Sequence, residues 1–193
     1  MGKPVTHYTT YHDYTRRTEI MVNIREYIRD IPDFPKEGII FHDITPLLQN
    51  AKAFESAIDA MAEVLKGKEI DYLVGIEARG FIFASALALK IGTGIVIVRK
   101  PGKLPYVTIN ASYDLEYGTD TLEVHRDAIH KGSKVILIDD LLATGGTAAA
   151  AGDLIEQLGG EVLGYCFLVE LLDLQGKNKL KPHEVWSILQ YPA

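Results

Sequence analysis

Two adjacent carboxylates precede a glycine-rich turn within residues 135–147, which read VILIDDLLATGGT. Asp139 and Asp140 end an apolar run that is typical of a buried strand, and the alanine-rich segment after the turn is typical of a helix. Two carboxylates placed directly before an anion site would repel the anion. We therefore expect them to face vicinal hydroxyl groups or a divalent cation.

The turn itself has the composition of a phosphate site, with Ala143, Thr144, Gly145, Gly146 and Thr147 in sequence. Glycines let the backbone approach an anion closely. The free N–H groups at the start of the next helix point at such an anion, and threonine hydroxyls add donors. The GxxxxGK[ST] pattern of nucleotide-binding loops is absent. A ribose 5-phosphate would match both halves, with its phosphate on the turn and its hydroxyls, or a magnesium ion, on the acids.

Two further polar clusters suit a second anion. One follows a predicted strand and precedes a predicted helix, so its backbone N–H groups and an arginine fork could hold pyrophosphate. The other carries three cations around a Pro-Gly turn, and cations stabilise a departing pyrophosphate. The first cluster is Glu77, Ala78, Arg79 and Gly80, and the second contains Arg99, Lys100 and Lys103.

Predicted strands and helices alternate along the chain and place these clusters together. Apolar strands are predicted at 72–76, 95–98, 135–139, 162–171 and 184–189, with helices at 53–66, 81–90 and 147–158. This alternation indicates a parallel sheet covered on both faces, and ligands bind at the carboxyl ends of such strands. A β-ribbon is predicted at 108–113 and 121–124, and a helix from residue 18 or 19 to 29.

The composition bounds the class of protein. Of the 193 residues, 47% are hydrophobic and 24% charged, as expected for one globular domain with a core. A net charge of −6 lacks the basic footprint of a nucleic-acid-binding protein, and no apolar run is long enough to span a membrane. The single cysteine, Cys166, cannot form an internal disulfide, which favours a cytoplasmic location.

DDLLATGGT resembles the motif with which type I phosphoribosyltransferases bind 5-phosphoribosyl-1-pyrophosphate (PRPP), and it is most similar to the branch that acts on adenine. Five other segments resemble the same branch in the same order and cover nearly everything from residue 20 onward. They are IPDFPKEGIIFHDITPLL at 31–48, GIEARGF at 75–81, VRKPGKLP at 98–105, SYDLEYG at 112–118 and ILQY at 188–191.

The resemblance implies an α/β fold with a central, mostly parallel sheet flanked by helices. It implies one domain at 20–193 after an N-terminal extension at 1–19, with a small hood at about 31–48 and a flexible β-ribbon lid whose loop spans about 104–119. The implied reaction transfers the 5-phosphoribosyl group from PRPP to adenine, giving AMP and pyrophosphate in purine salvage. The implied assembly is a homodimer with no nucleic-acid or membrane partner.

The resemblance also implies roles in the chemistry. Arg79 would act on the pyrophosphate together with the rest of its loop and the basic turn. Glu116 would contact the purine and handle its proton, and Tyr117 would pack near the ribosyl or leaving group. Magnesium would be carried on PRPP, without direct protein ligands, near Asp139 and Asp140.

Base recognition is implied at the hood. Adenine would lie between Phe41 and Leu141, and its edge would bond the backbone of Ile40 and His42. His42 stands where many family members have arginine or lysine, which matters little if only the backbone recognises the base. Tyr106 stands where many have glycine, which bears on loop closure.

Two alternatives stay open. The enzyme could use another purine base, such as hypoxanthine or xanthine. The chain could instead be a non-catalytic regulator that senses PRPP through the same fold, although regulators of that kind need an added DNA-binding module.

Overall fold

The computed structural model describes residues 22–114 and 119–192. Its strands are β1 (Arg29–Pro32), β2 (Ile40–Asp43), β3 (Tyr72–Ile76), β4 (Gly94–Val98), β5 (Thr108–Asp114), β6 (Thr119–His125), β7 (Lys134–Leu142), β8 (Glu161–Leu171) and β9 (Glu184–Tyr191). Its α-helices are α1 (Thr45–Gln49), α2 (Ala51–Val64), α3 (Gly80–Ile91) and α4 (Gly146–Gln157). Short 3-10 helices cover Ile24–Tyr27, Leu172–Leu174 and Gly176–Leu180.

Five parallel strands form the central sheet in the order β4-β3-β7-β8-β9. Their side chains enter two separate cores, because successive residues of a strand point to opposite faces. Leu73 and Ile136 belong to the core that contains α2 and α3, whereas Val74 and Leu137 belong to the core that contains α4. Helices on both faces explain why these strands are apolar along their length. The predicted α/β class is confirmed.

The helix predicted to run through residue 29 is wrong for the described residues, which form the 3-10 helix Ile24–Tyr27 and then β1. β1 pairs antiparallel with β2, with Arg29 opposite Asp43. Arg29 Nη2 lies 2.5 Å from Asp43 Oδ2, and the hydrogen bond from Arg29 lowers the pKa of Asp43. The strand pairing and this ion pair outweigh the local helical periodicity. Residues 18–21, where the predicted helix begins, lie outside the described residues.

β7 is longer than its predicted span of 135–139. The long strand β8 continues to pair with β7 as far as Leu142, which lies opposite Glu170. The pairing of β7 with β3 ends earlier, at Ile138 opposite Gly75. The two acids that follow Ile138 therefore lie inside β7 but beyond the last residue paired with β3.

β5 and β6 form a separate antiparallel ribbon, as predicted. Residues 115–118, which connect the two strands, lie outside the described residues, as does the extension predicted at 1–19. Cys166 is buried in β8, and burial raises the pKa of its thiol to about 12. In the described part of the chain, every helix is too short or too polar to cross a membrane.

Candidate functional site

The loop at 77–80 packs directly on the acids of β7. The loop follows β3, which is the neighbour of β7 in the sheet. Gly80 permits the contact, since a Cβ on this residue would lie 2.7 Å from the Ile138 carbonyl oxygen and 2.9 Å from Asp139 Oδ1. The topology thus brings these two clusters together at the carboxyl edge of the sheet, as the alternation of strands and helices predicts.

Asp139 and Asp140 have different partners. Asp140 is 5% exposed, and its Oδ2 lies 3.0 Å from Nε of Arg79. Asp139 Oδ1 accepts a hydrogen bond of 2.9 Å from the Asp140 N–H. Burial and the neighbouring Asp140 charge raise the pKa of Asp139, while burial raises the pKa of Asp140 and Arg79 opposes that rise. The pair presents several carboxyl oxygens that can accept hydrogen bonds, with one cation to balance them.

The glycine-rich turn requires its glycine at position 145. Gly145 has a φ of +79° and directly precedes α4. A Cβ there would also collide with the carbonyl of Gly176, so the segment Gly176–Leu180 packs closely on the turn. The first N–H groups of any α-helix lack partners within the helix. The turn with the start of α4, including Thr147, is therefore suited to an anion.

Glu77 organises the cations of the basic turn. Its carboxylate accepts hydrogen bonds from Arg99 Nε at 3.3 Å, from the Lys100 N–H at 2.9 Å and from Lys103 Nζ. Burial alone would raise the pKa of Glu77, but these hydrogen bonds lower it to about 2. Lys100 is ion-paired with Asp120 of β6. All three cations of the turn thus have acidic partners in the same chain, and an incoming anion must compete with them.

Arg79 lies between the hood and the acids. Its guanidinium carbon is 5.6 Å from the centre of the Phe41 ring. The Nε atom of the same side chain contacts Asp140. Ile40, next to Phe41 in β2, is 50% exposed. Leu141 is partly buried and follows Asp140 in β7. An aromatic ring, a guanidinium and a carboxylate therefore follow one another along this edge.

The His42 side chain is fixed within the protein. Its Nδ1 lies 2.7 Å from Asp30 Oδ1, and its ring centre lies 4.2 Å from that of Tyr191. Arg25 contacts the Tyr191 ring at 4.3 Å. These contacts join the hood to the end of β9 and occupy the His42 side chain.

Several residues of the site escape prediction from sequence. Tyr191 belongs to the ILQY segment, for which the sequence indicates no role. Asp120 and Glu123 of β6 contact the basic turn, and Tyr113 of β5 shares a hydrogen bond with Thr147. An aromatic-and-acidic ribbon next to a basic turn is the signal that could have found them. The predicted residues Glu116 and Tyr117 lie outside the described residues.

The acids of β7 fit a magnesium ion that is held mainly by its substrate. Within residues 22–114 and 119–192, no group of three or more Asp, Glu, His or Cys side chains is arranged to hold a metal. Asp139 and Asp140 provide carboxylate oxygens of the kind that Mg²⁺ prefers, and Mg²⁺ commonly binds through one or two carboxylates together with substrate phosphates.

Comparisons with known proteins give matches over most of the chain. A family model described as a phosphoribosyl transferase domain matches residues 44–190. The chain is 56% identical over 170 residues to the adenine phosphoribosyltransferase of Pseudothermotoga lettingae, which covers 88% of this chain and 100% of that protein. The corresponding protein of Geotalea uraniireducens is 56% identical over 171 residues, covering 89% and 100%.

Solved structures give the same result. Adenine phosphoribosyltransferase from Thermoanaerobacter pseudethanolicus is 50% identical with a TM-score of 0.85, over 87% of this chain and 98% of that one. The protein from Saccharomyces cerevisiae, solved with D-2,5-dideoxy-2,5-imino-altritol 1,6-bisphosphate and adenine, is 45% identical with a TM-score of 0.82, over 86% and 96%.

Proposed function

Since the chain belongs to the phosphoribosyl transferase family and, within it, groups with the adenine phosphoribosyltransferases, we propose that it transfers the 5-phosphoribosyl group of PRPP to adenine. The products are AMP and pyrophosphate, as purine salvage requires. The observation that carries this proposal is the succession of Phe41, Arg79 and Asp140 along the carboxyl edge of the sheet. It supports the proposal because an aromatic ring, a guanidinium and a carboxylate suit a base, a pyrophosphate and a ribose respectively.

PRPP is held first by its 5-phosphate and ribose. The phosphate binds the turn at 143–147, where the N–H groups at the start of α4 and the hydroxyls of Thr144 and Thr147 donate hydrogen bonds. The ribose hydroxyls donate hydrogen bonds to Asp139 and Asp140. The order of these groups along β7 and α4 matches the order of hydroxyls and phosphate along the sugar.

The pyrophosphate binds the loop at 77–80 and the basic turn. The loop offers backbone N–H groups, including those of Ala78 and Gly80, together with the Arg79 fork. Arg99, Lys100 and Lys103 add positive charge, which stabilises the negative charge that develops as pyrophosphate leaves. Glu77 holds the side chains of Arg99 and Lys103, and Asp120 holds that of Lys100, until the anion arrives.

Adenine binds at the hood. Phe41 and Leu141 contact its two faces, while the backbone groups of Ile40 and His42 bond its edge. A backbone donor and acceptor distinguish a 6-amino from a 6-oxo purine, because the wrong base would leave a buried polar group unpaired. His42 contributes through its backbone, since its side chain is fixed by Asp30 and Tyr191.

The chemical step breaks the bond from C1 of the ribose to the pyrophosphate oxygen and forms the bond from C1 to N9 of adenine. The ribosyl centre passes through an oxocarbenium-like state, as in glycoside chemistry. Glu116 takes the proton that N9 loses, and Tyr117 packs near the leaving group. The loop at 104–119 acts as a lid that keeps water from hydrolysing PRPP.

Magnesium and a second copy of the chain complete the proposal. Magnesium bound to PRPP would neutralise part of the pyrophosphate charge, with Asp139 and Asp140 the nearest candidates to hold it. We propose a homodimer in which residues of the basic turn also serve the neighbouring site. A cytoplasmic location stays a prediction.

The experiment is incubation of the chain with PRPP, magnesium and adenine, with AMP and pyrophosphate measured separately. We expect equal amounts of both, each dependent on adenine. Pyrophosphate without AMP would contradict the transfer reaction and indicate hydrolysis instead.

A further inference from the structure

Glu123 is a buried acid of the β-ribbon that faces the basic turn. It lies in β6 and is 6% exposed. None of the sequence motifs described above includes it. One carboxylate oxygen, Oε1, accepts hydrogen bonds from the N–H groups of Lys103 and Leu104, both at 3.1 Å. The other, Oε2, is 3.4 Å from the Thr108 hydroxyl. The turn is thus folded around this carboxylate.

The surroundings of this carboxylate favour its ionised form. Burial alone would raise the pKa of Glu123, but the backbone N–H groups of Leu104, Gly102 and Lys103 outweigh burial and lower the pKa. A buried charge is costly unless it is paired or fully hydrogen-bonded, and several N–H donors directed at one carboxylate provide that compensation. The turn and the acid therefore stabilise each other.

The backbone of Glu123 joins the same turn. Its N–H donates to the Arg99 carbonyl at 2.7 Å, and its carbonyl accepts from the Arg99 N–H at 2.9 Å. Asp120 of the same strand pairs with Lys100. The ribbon thus contacts Arg99, at the start of the turn, through its backbone. It contacts the following residues of the turn through the carboxylates of Asp120 and Glu123.

Lys103 shows what this arrangement does for the cations. Its backbone N–H is held by Glu123, while its Nζ reaches Glu77. Arg99 is likewise held by the backbone of Glu123 and, through its side chain, by Glu77. Two acids therefore fix where these cations lie: Glu123 binds their backbone, and Glu77 pairs with their charged side chains.

We propose that Glu123 is a positioning residue for pyrophosphate recognition, which shapes the basic turn and makes the turn and the β-ribbon one unit. The proposal rests on the proposed function for the identity of the anion. Glu123 does not touch the substrate in this account, because its carboxylate is enclosed by the turn. Its effect reaches the pyrophosphate through Arg99 and Lys103.

The test compares Glu123→Gln with the wild type in both reaction directions. Glutamine keeps the shape of the glutamate side chain, but it replaces the charged acceptor of the turn's N–H groups with a neutral amide. We expect the KM for PRPP, and for pyrophosphate in the reverse reaction, to rise by about tenfold, the scale of a lost hydrogen bond to a charged group. The KM for AMP, which lacks the pyrophosphate, should stay within about twofold. Asp127→Asn, an exposed acid just after β6, is the matched control and should change none of these constants.

Two outcomes would overturn the proposal. One is an unchanged KM for pyrophosphate and PRPP in a folded Glu123→Gln protein. The other is an equal rise in the KM for AMP, which would mean a general structural role. If Glu123→Gln fails to fold, Glu123→Asp replaces it in the test. Aspartate keeps the charge, but its shorter side chain does not reach the N–H groups of the turn, and the same three KM values are compared.

Pyrophosphate and AMP binding by calorimetry separates this proposal from the proposed function. A wild type that binds pyrophosphate without turnover would remove the proposed function. The weaker pyrophosphate binding of Glu123→Gln, with AMP binding retained, would still support the role of Glu123, and equal binding by both proteins would overturn it.

Discussion

Arg79 is ion-paired with Asp140, with Nε of the arginine 3.0 Å from Oδ2 of the acid. In the proposed function, Asp140 serves the ribose and Arg79 serves the pyrophosphate. The two groups that must bind opposite ends of the reacting bond therefore hold each other when PRPP is absent. In the proposed function, we expect binding of the ribose hydroxyls at Asp140 to release Arg79 towards the pyrophosphate, so that the two parts of PRPP bind together.

Replacing Asp140 by asparagine should weaken PRPP binding. The change removes the charged acceptor for a ribose hydroxyl and leaves Arg79 without its partner, so we expect the KM for PRPP to rise about tenfold or more. The KM for adenine should change far less. Steady-state kinetics at saturating adenine give the comparison, and an unchanged KM for PRPP would remove Asp140 from ribose binding.

A methyl group at position 80 should separate the loop at 77–80 from the acids. In Gly80→Ala the new Cβ would lie 2.7 Å from the backbone oxygen of Ile138, closer than a Cβ approaches a non-bonded atom in proteins, so the loop must shift. We expect kcat/KM for PRPP to fall at least about tenfold, since small displacements of positioning groups are costly. Gly132→Ala, where a Cβ would meet nothing within 4 Å but φ is +83°, lies outside the proposed site and controls for the loss of a glycine. Equal activity of Gly80→Ala and the wild type would contradict the close packing.

Glu116 tests the chemical step. Glu116→Leu removes the proposed proton acceptor, and we expect kcat to fall by about a hundredfold or more, the scale of general base catalysis. PRPP binding, measured by calorimetry, should stay nearly unchanged. Glu116→Gln should lose turnover similarly, because an amide cannot take the proton. An equal loss of binding and turnover would remove Glu116 from the chemistry.

Glu77 should make stability depend on pH in the acid range. Its pKa is about 2, below the ordinary value of 4.5. A lowered pKa stabilises the folded state above pH 4.5, and this stabilisation, roughly 3 kcal/mol, is lost as pH falls towards 2.

Urea unfolding of the wild type and Glu77→Gln between pH 6 and pH 3 measures this stabilisation. We expect the difference in their free energies of unfolding to shrink as pH falls. A difference that is constant over this range would show that the Glu77 pKa is not lowered.

The end of β9 should matter for adenine. Tyr191→Leu removes the ring that packs on His42. We expect the KM for adenine to rise about threefold, which corresponds to part of the interaction free energy of an aromatic pair. The KM for PRPP should stay constant. The Tyr191 hydroxyl is buried and has no partner among the described residues. Tyr191→Phe should therefore match or exceed the wild type in stability. A Tyr191→Phe protein less stable by over ~1 kcal/mol would show that the hydroxyl is paired.

The central sheet is predictable from the sequence because most of its strands contain apolar runs, and Tyr72–Ile76 is predicted to the residue. The hood is not predictable in this way. Ile24 and Ile28 follow a helical period, yet β1 forms because β2 supplies a partner strand and Asp43 supplies a counter-charge. Pairing with a distant segment decides that structure, and local periodicity carries no information about it.

The site shows a similar division. Residue types indicate which anions and hydroxyls the clusters suit, but they do not indicate which side chains of the site contact one another. Glu123 lies between Leu122 and Val124, which are buried, so strand alternation predicts an exposed acid. The residue is buried because the basic turn folds over it, a contact between segments that no local pattern encodes.

The most direct test of the central claim is base-dependent release of pyrophosphate from PRPP and magnesium, with adenine, hypoxanthine, guanine and xanthine in parallel. We expect release with adenine and far slower release with the three 6-oxopurines. Release with a 6-oxopurine instead would support the assignment of the phosphate sites and contradict the assignment of the base site to Ile40, Phe41 and His42. PRPP binding without release for any base would contradict the account and favour a PRPP sensor.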